Sequence, residues 1–554
     1  MPSTATLLSL SVIFVLLLAA TRRFRTAAAF TAFTAVTILV ASEVKQSFLD
    51  MPLTLADFRV FMLAPVENFK LFLNYPLLGG EIVVIIALAV TVIAAGVRLE
   101  RPSAFLARLE GDISLRTATA GACAALIAII YVGLIGNVRA DRPNNGDAWA
   151  AFLAMEEVEH AMGPMQRLNF FFDNRDTYVS LPSQRAQSRF PIGDAVAGLP
   201  AQNESSASAR PDIMVVLEES TFDPELIARC DLPVCKGRFL QPAPAPVRTQ
   251  QGPLLVHSTG GGTWLSEFAF LSGFDWRIFG RGGAFAPVSL SPRLKISLPK
   301  YLHTLGYRTV GIYPVDGNFL SAQMAYRNYG FDEFYSAQDF GFDSDWHKIR
   351  DADVFAKALQ RIEHGADDRP VFAFILTIRN HGPHGLPVDS IPRTLQAAER
   401  KLDRGLADYL ARYQDSSADY SSLRDVWLNS SRRRVIGWFG DHQPETAWNF
   451  INTVSDLNAN HLPPNVPDNQ LRYLTYYQLS ANYDGSESGR SRNALDISYL
   501  QSQLLKFAGL PLDAGAAAAT QTASACAGLL YGCADSDLVS DYLSYRVYQL
   551  HAIE

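Results

Sequence analysis

The sequence predicts an α/β protein in two parts, an N-terminal transmembrane helical domain followed by a mostly parallel sheet sandwiched by helices. Two observations predict this class. Apolar runs of near bilayer-spanning length lie before residue 138 of the 554-residue chain. From Pro211 onward, short apolar strand-like segments alternate with helix-like segments. That alternation is typical of parallel strands covered by helices on both faces.

The N-terminal region contains four apolar runs that we predict to be transmembrane helices. They are residues 4–20, 26–42, 80–97 and 117–137. A fifth stretch, residues 57–74, contains Arg59, Glu67 and Lys70. Because these charges are costly at the bilayer centre, we predict an interfacial helix there and keep a fifth span as the alternative.

The distribution of basic residues predicts how these helices are oriented. The leading residues MPSTAT carry no Lys or Arg, whereas Arg22, Arg23 and Arg25 follow the first run, which favours an anchor over a signal peptide. With these arginines and the basic loop 98–116 in the cytoplasm, four spans satisfy the positive-inside rule. The N-terminus and everything after residue 138 then lie outside the cytoplasm, with the chain in the inner membrane.

The sequence divides into three predicted regions: a transmembrane domain (1–138), a juxtamembrane stem and linker (139–210), and a soluble domain (211–554). The linker prediction rests on the Ser-, Ala-, Gln- and Gly-rich composition of residues 183–210. The net charge of −7, without a Lys/Arg-rich block outside the membrane loops, argues against nucleic acid as a partner.

Four of the five cysteines form two close pairs, Cys230/Cys235 and Cys526/Cys533, while Cys123 lies inside a predicted span. Close pairs favour two local disulfides formed in an oxidising compartment. One pair could instead be half of a zinc site, but no second pair of Cys or His stands at the spacing of a zinc finger.

The soluble domain has five predicted strands, at residues 213–217, 309–313, 371–377, 434–439 and 473–479. Helices are predicted at residues 263–272, 294–305, 353–364, 397–413 and 495–508. In parallel sheets of this kind, ligands bind beyond the carboxyl ends of the strands.

Metal-binding and acid–base residue types follow three of these strands. Glu218 and Glu219 follow the first strand. The strand at 371–377 precedes Asn380, His381 and His384, and Gly440 links the strand at 434–439 to Asp441 and His442. An isolated Asp-His pair is more simply a helix cap beside a surface histidine. Because three strand ends supply such residues to one sheet edge, we predict a site in which a carboxylate and an imidazole share a metal.

A glycine run at 260–262 places Thr263 near the start of a predicted helix. Free N–H groups and the helix dipole favour a phosphate or an oxyanion there. The alternative is that Thr263 is simply the helix cap.

Four motifs, PDIMVVLEES, GGTWLSEFAFLSG, TIRNHGPH and GWFGDH, occur in this order within about residues 211–510. Together they resemble the alkaline-phosphatase/sulfatase superfamily, and within it the membrane-anchored phosphoglycerol transferases, including the lipoteichoic acid synthases. The resemblance implies a sulfatase-like catalytic domain with Thr263 as nucleophile and His381 as a catalytic residue. It also implies a metal site formed by Glu219, Thr263, Asp441 and His442.

The chain departs from that family at two points. Lipoteichoic acid synthases have a Trp-x-Arg pair upstream of a Gly-Phe-Asp stretch, and the residues before Gly330 contain only Arg327 as a candidate phosphate contact. The Cys/Ser-x-Pro-x-Arg signature that sulfatases need to form formylglycine is absent, which disfavours sulfate-ester hydrolysis.

The expected reaction is transfer of a phospholipid headgroup, phosphoglycerol first, through Thr263 to a hydroxyl of an envelope glycan or glycolipid. One divalent ion, Mn²⁺ or Zn²⁺, would activate the threonine. His381, with His384 behind it, would move the protons. The alternatives are a phosphoethanolamine transferase, an extracytoplasmic phosphodiesterase and a catalytically silent membrane sensor or scaffold. Thr263→Ala is expected to abolish cleavage, whereas Ser258→Ala and Thr259→Ala are expected to keep most activity.

Overall fold

The computed structural model of the protein describes most of the soluble domain and part of the N-terminal region. The described residues are 2–49, 51–63, 76–101, 162–173, 179–185, 188–190, 210–228, 230, 232–236, 238–241, 247–342, 346–364, 368–385, 404–448, 456–485 and 488–554. They form two units, one of mainly N-terminal residues and one that contains the sheet.

The N-terminal unit is helical throughout its described elements. Its helices are Thr4–Thr21, Phe24–Leu49, Leu55–Leu63, Pro76–Leu99 and Pro164–Asp173. The Ser3 side chain caps the first helix by accepting a hydrogen bond from the Thr6 N–H. By length and composition, Thr4–Thr21 and Phe24–Gln46 could each cross a membrane.

The structure confirms a long apolar helix at the first two predicted spans. The third lies in the helix Pro76–Leu99, whose apolar stretch, Val83–Gly96, is shorter than a typical span. The fourth, at 117–137, lies outside the described residues. Of the predicted interfacial helix at 57–74, residues 57–63 are described and are helical. The number of spans therefore remains a prediction.

The second unit is built on a nine-stranded mixed sheet. Its strands are β1 (Asp212–Glu218), β2 (Arg248–Leu255), β3 (Arg308–Tyr313), β4 (Glu333–Ser336), β5 (Val371–Leu376), β6 (Arg434–Gly440), β7 (Leu474–Ala481), β8 (Gly489–Arg490) and β9 (Leu495–Asp496). The order is β4-β3-β5-β1-β6-β7-β2-β8, and β9 also pairs with β2.

The centre of the sheet is parallel and one side is antiparallel. β4, β3, β5, β1 and β6 pair in parallel, which confirms the predicted parallel core. β7 runs antiparallel to β6, and β2 runs antiparallel to β7. β2 was not predicted, because Gln250, Gln251 and the Gly252-Pro253 pair interrupt its apolar pattern.

Helices cover both faces of this sheet. They are Thr263–Ser272, Ala286–Ser289, Leu298–Thr304, Ala322–Tyr329, Ala337–Phe340, Asp351–His364, Arg404–Leu428, Glu445–Trp448, Ile497–Ala508, Ala514–Ala525 and Ser536–Ser544. Consecutive residues of β6 show the two layers. The Trp438 ring lies 6.3 Å from the ring of Tyr420, and the Phe439 ring lies 4.9 Å from that of Phe270 on another helix.

The observed helices follow the predicted ones with local differences at their ends. The helix at Thr263–Ser272 has the predicted bounds. Ser297 accepts a hydrogen bond from the Lys300 N–H, so the helix predicted at 294–305 begins only at Leu298. The helix predicted at 397–413 is described from Arg404 and continues to Leu428, because buried residues recur along it as far as Trp427.

The cysteine prediction is confirmed. Disulfides join Cys230 to Cys235 and Cys526 to Cys533. Within the predicted linker, Arg185 pairs with Asp537 and Asp541, and Arg189 pairs with Asp535. These ion pairs attach this part of the linker to the helix Ser536–Ser544 and its cap.

Candidate metal centre and nucleophile

The ends of β1 and β6 bring the two predicted carboxylate ligands together. The strands pair in register, with Glu218 opposite Gly440, so that Glu219 and Asp441 leave the sheet side by side. A side chain at position 440 would overlap the Thr221 carbonyl oxygen. Glycine is therefore required at position 440, where the backbone passes close to Thr221.

Asp441 uses one carboxylate oxygen structurally and leaves the other without a hydrogen bond. Its Oδ1 accepts hydrogen bonds from the Ser220 N–H at 2.7 Å and from the His442 N–H at 2.8 Å. Ser220 has φ = 50°, a left-handed conformation at the turn that presents this N–H. Asp441 Oδ2 is buried and has no hydrogen-bond partner among the described residues. A buried carboxylate oxygen without a donor is costly unless a cation binds it.

His442 is oriented as a ligand. Its Nδ1 lies 3.0 Å from the Gln443 carbonyl oxygen, which can only accept, so Nδ1 carries the proton. The Nε2 atom then faces Asp441 Oδ2 at 3.2 Å and Glu219 Oε1 at 3.5 Å. Three acceptors that face one another are unfavourable unless a proton or a cation lies between them.

Thr263 completes the group at the start of its helix. Its Oγ1 donates to Glu219 Oε2 over 3.2 Å and lies 3.4 Å from His442 Nε2. The N-cap of this helix is Gly262, so Thr263 is the first helical residue and not the cap. Asp441 and His442 are both buried, which also argues against a helix cap beside a surface histidine.

The two buried carboxyl groups of the site favour the binding of a cation. Burial raises the pKa of the Glu219 carboxyl well above its ordinary value, and the nearby Asp441 charge raises it further. Burial likewise raises the pKa of Asp441, although His442 opposes the shift. Ligand atoms of Glu219, Asp441 and His442 lie within 4.8 Å of one another. With Thr263 Oγ1 they form an oxygen-rich set with one nitrogen, which fits Mn²⁺ or Zn²⁺.

The loop after β5 is bound beside this group. The Thr377 hydroxyl oxygen accepts a hydrogen bond from the Glu219 N–H at 3.0 Å, and the Asn380 side chain donates to Thr221 Oγ1 at 3.2 Å. On this loop, His381 Nδ1 donates to the Gly382 carbonyl oxygen at 2.7 Å. The His381 ring also packs edge-to-face on Trp346, with a centroid distance of 4.6 Å.

Two other candidates have different surroundings. His384 Nε2 lies 2.9 Å from the Asn380 carbonyl oxygen, and its ring packs on Tyr409. Those contacts stabilise the loop. Arg327 is exposed on the helix Ala322–Tyr329, whose buried side carries Tyr326 and Tyr329. The structure thus joins Glu219, Thr263, Asp441 and His442 directly, whereas the roles of His381, His384 and Arg327 remain predictions.

Sequence reasoning missed two neighbours of the site. Trp346, which contacts His381, lies in a short segment without periodicity. Glu267 lies one turn after Thr263 on the same helix face, a spacing that could have indicated it. Burial raises the pKa of Glu267 to about 8, with the Asp441 charge adding to the effect.

A second group of possible ligands, Asp223, Glu225 and His461, is only partly buried. His461 Nδ1 and Asp223 Oδ2 are 3.1 Å apart, and their hydrogen bond raises the pKa of His461. Asp223 Oδ1 accepts a hydrogen bond from the Glu225 N–H. An ion pair between Asp223 and His461 accounts for this arrangement.

Comparison with known proteins finds a matching family model and several similar proteins for the sheet unit. Residues 212–423 match the family model described as Sulfatase. A protein of Haemophilus influenzae, described as uncharacterized, is 26% identical over 402 residues, or 69% of this chain and 70% of the relative. A Rhizobium meliloti protein, provisionally named a cyclic beta-1,2-glucan modification protein, is 24% identical over 336 residues. That match covers 57% of this chain and 49% of the relative.

Among solved structures, the Streptococcus pyogenes phosphoglycerol transferase GacH, in complex with sn-glycerol-1-phosphate, is 14% identical with a TM-score of 0.45. The match covers 66% of this chain and 95% of GacH. The segment that matches the family model contains Glu219, Thr263 and His381, and the strand that delivers Asp441 and His442 follows it directly. Residues 212–423, part of the sheet unit, are thus similar to the sulfatase family.

Proposed function

We propose that this protein transfers a phospholipid headgroup, phosphoglycerol first, through Thr263 to a hydroxyl of an envelope glycan or glycolipid. One observation carries the proposal. The Thr263 hydroxyl lies 3.2 Å from Glu219 Oε2 and 3.4 Å from His442 Nε2, beside Asp441 Oδ2, which has no hydrogen bond among the described residues. A partly exposed hydroxyl at a helix N-terminus, next to a ligand set for a divalent ion, is suited to attack on phosphorus.

Glu219, Thr263, Asp441 and His442 would hold the ion. A divalent ion bound there would supply the positive charge that favours the threonine alkoxide and polarises the phosphoryl oxygen. Among the chain's own groups, Glu219 Oε2 orients the Thr263 hydroxyl. The free N–H groups of the first helical turn face the phosphate.

The proposed reaction has two halves. In the first, Thr263 reacts as its alkoxide: Oγ forms a bond to phosphorus while the bond from phosphorus to the diacylglycerol oxygen breaks, and His381 gives that oxygen a proton. In the second, the acceptor hydroxyl gives its proton to His381 and bonds to phosphorus, and the bond from phosphorus to Thr263 breaks and restores the Thr263 alkoxide. The two halves use one histidine as acid and then as base. His384 and Arg327 are proposed contacts to the substrate phosphate.

We further propose that the chain is a multi-pass protein of the cytoplasmic membrane, with residues 139–210 as stem and 211–554 outside. The two long apolar helices and the two disulfides support this location. Reporter fusions at the N-terminus and after residue 138 test it. Both are expected to report an extracytoplasmic position, and a cytoplasmic N-terminus with an outer sheet domain would require an odd number of spans.

The proposed acceptor is a hydroxyl group of an envelope glycan or glycolipid, and the name of one relative supports it. The Rhizobium meliloti relative carries a name that refers to glucan modification, which supports a glycan acceptor for this chain. Mass spectrometry of envelope glycans and lipids from a deletion strain should then show the loss of a phosphate-linked substituent.

Cleavage of defined lipids tests the donor. The purified full chain is incubated with liposomes of phosphatidylglycerol or phosphatidylethanolamine and with Mn²⁺ or Zn²⁺, and diacylglycerol is measured. We expect release from phosphatidylglycerol by the wild type and by Thr259→Ala, and none by Thr263→Ala. Release from phosphatidylethanolamine alone would instead indicate a phosphoethanolamine transferase. Release that survives Thr263→Ala would indicate a phosphodiesterase without a threonine intermediate.

A further inference from the structure

The main-chain carbonyl of Asp441 is held by two buried serine hydroxyls. Ser266 Oγ lies 2.6 Å from this carbonyl oxygen, and Ser258 Oγ lies 2.9 Å from it. The two hydroxyl oxygens are also 2.7 Å apart. Both serines are almost completely shielded from solvent, with 3% of Ser258 and 1% of Ser266 exposed. The three oxygens therefore form a closed triangle inside the protein.

The hydrogen bonds of the two serine hydroxyls depend on each other. Each hydroxyl has a single proton, and the carbonyl oxygen has none. Two protons cannot satisfy three contacts at once, so one serine donates to the carbonyl while the other donates either to the carbonyl or to its fellow serine. Removing either hydroxyl leaves the remaining one to rearrange, and the contribution of the pair is not the sum of two independent hydrogen bonds.

The triangle joins three elements that meet at the proposed metal centre. Ser266 lies one turn after Thr263 on the nucleophile helix. Ser258 precedes the glycine run, and Asp441 follows β6. One carbonyl oxygen thus links the helix of Thr263 to the residue that carries the Asp441 carboxylate, and the serines do not contact the ligand atom Oδ2.

Ser258 is itself firmly anchored through the residue before it. His257 Nε2 lies 2.7 Å from Asp496 Oδ2, and its Nδ1 lies 3.0 Å from an Arg277 nitrogen. The His257 carbonyl oxygen accepts a hydrogen bond from Trp276 Nε1 at 2.8 Å. Because this network is buried, the start of the glycine loop has little freedom to follow a displaced Asp441.

We propose that Ser258 and Ser266 are positioning residues that set the geometry between the Thr263 hydroxyl and the metal ligands Asp441 and His442. The inference rests on the proposed metal-dependent transfer and concerns how its site is held. Loss of a residue that supports a metal ligand typically weakens metal binding or activity by about 10- to 100-fold. A small displacement of a nucleophile has a comparable effect on rate. The expectation from sequence that Ser258→Ala keeps most activity is replaced by a reduced rate.

Ser272 provides a matched control for Ser266. It lies on the same helix, is fully buried, and uses its hydroxyl for hydrogen bonds that stay near the helix end. Its Oγ donates to the Phe268 carbonyl oxygen at 2.6 Å and accepts from the Phe274 N–H at 3.1 Å. Ser272→Ala therefore removes a buried hydroxyl of the same kind without touching Asp441.

The experiment compares the wild type, Ser266→Ala, Ser258→Ala, the double variant and Ser272→Ala as full-length protein. Mn²⁺ and Zn²⁺ binding is measured by calorimetry, and headgroup release is measured as kcat and KM for lipid. We expect Ser266→Ala to bind metal about 10- to 100-fold more weakly. Its kcat should fall while KM for lipid stays within about twofold, since the lipid contacts remain. The double variant leaves the Asp441 carbonyl without either serine donor and should be impaired more than Ser266→Ala, whereas Ser272→Ala should match the wild type in both measurements.

Several results would decide against the inference. Equal metal affinity and equal kcat for Ser266→Ala and Ser272→Ala would show that the serines contribute only to stability. If circular dichroism shows that Ser266→Ala is unfolded, the same comparison with Ser258→Ala decides. A wild type that binds neither metal would overturn the proposed metal centre, and this inference with it. If the wild type binds metal and the Ser258 and Ser266 variants have the same metal affinity and kcat as the wild type, only this inference would be overturned.

Discussion

The Thr263 hydroxyl donates a hydrogen bond to Glu219 Oε2 over 3.2 Å, although 44 residues separate the two in the sequence. The contact forms because β1 ends at the sheet edge where the helix Thr263–Ser272 begins. His442 Nε2 lies 3.4 Å from the same hydroxyl. The Thr263 hydroxyl oxygen therefore belongs to the candidate ligand set and also lies at a helix N-terminus.

Divalent metal should stabilise the protein through Glu219 and Asp441. Metal that binds only the folded state adds about 2.7 kcal/mol to the free energy of unfolding at a concentration 100 times its Kd. Calorimetric titration and thermal unfolding with Mn²⁺, Zn²⁺ or a chelator measure this effect. Glu219→Gln and Asp441→Asn should each lose it.

His461→Gln serves as the control, because Asp223 and His461 already satisfy each other as an ion pair. This variant should bind metal like the wild type. If His461→Gln lost metal binding while Glu219→Gln kept it, the metal would bind at Asp223 and His461, and the prediction would be wrong.

His381 should carry the proton transfers. His381→Asn is expected to lower kcat by about 10²–10⁴-fold, the range for losing a general acid or base. Trp346→Ala, which removes the ring that packs on His381, should lower kcat by a smaller factor. His303 is exposed on another helix, so His303→Asn should leave kcat unchanged. Steady-state headgroup release measures all three, and an unaffected His381→Asn would remove this residue from the mechanism.

Asp351 should make stability depend on pH. It is fully buried, and burial raises its pKa from 3.8 to about 6. The folded state therefore holds a proton that the unfolded state releases between about pH 4 and pH 6. This stabilisation is fully present below about pH 4 and is lost as pH rises through about 6, by up to about 3 kcal/mol.

Asp351→Asn should remove that dependence, because asparagine keeps an oxygen that can accept from Ser416 but does not titrate. Asp353 is exposed on the same helix, and Asp353→Asn should retain the wild-type dependence. Urea unfolding from pH 4 to pH 7 provides the measurement. Parallel curves for Asp351→Asn and the wild type would contradict the prediction.

The two disulfides should each contribute modestly to stability. The bridged cysteines are separated by 5 and 7 residues. Loops this short give about 2 kcal/mol each on loop-entropy grounds. Replacing Cys526 and Cys533 together by serine should lower the free energy of unfolding by this amount. Non-reduced peptide mapping should find both local pairs in protein exported from the cytoplasm, and four free thiols would contradict the assignment.

Much of the fold could be predicted because the central strands carry a simple signal. β1, β5 and β6 are continuous apolar runs, and a fully buried parallel strand requires that composition. β2 lacks the signal, since Gln251 is buried through a hydrogen bond from Gln478 on the neighbouring strand. A polar residue satisfied by a partner more than two hundred positions away leaves no local pattern in the sequence.

The site shows the same division. Asp441, His442 and the pair Glu218 and Glu219 could be predicted because strand ends of a parallel sheet meet at one edge. The choice of Glu219 over Glu218 came from the family resemblance. The contacts of Ser266 and Trp346 depend on how a helix and a loop pack on that edge, and no periodicity encodes them. The exposed position of Arg327 follows from the burial of Tyr326 and Tyr329 on the same short helix, which turns the arginine outward.

The central claim is that Thr263 becomes covalently linked to the lipid headgroup, and intact-mass spectrometry tests it most directly. Wild-type protein and His381→Asn are incubated with phosphatidylglycerol and Mn²⁺ without an acceptor, and the modified peptide is then sequenced. We predict a phosphoglycerol adduct on Thr263 in the wild type or in His381→Asn, in which breakdown of the adduct lacks its base. Thr263→Ala should form no adduct and release no diacylglycerol. Full lipid cleavage by Thr263→Ala, with no adduct on the wild type, would contradict the covalent mechanism.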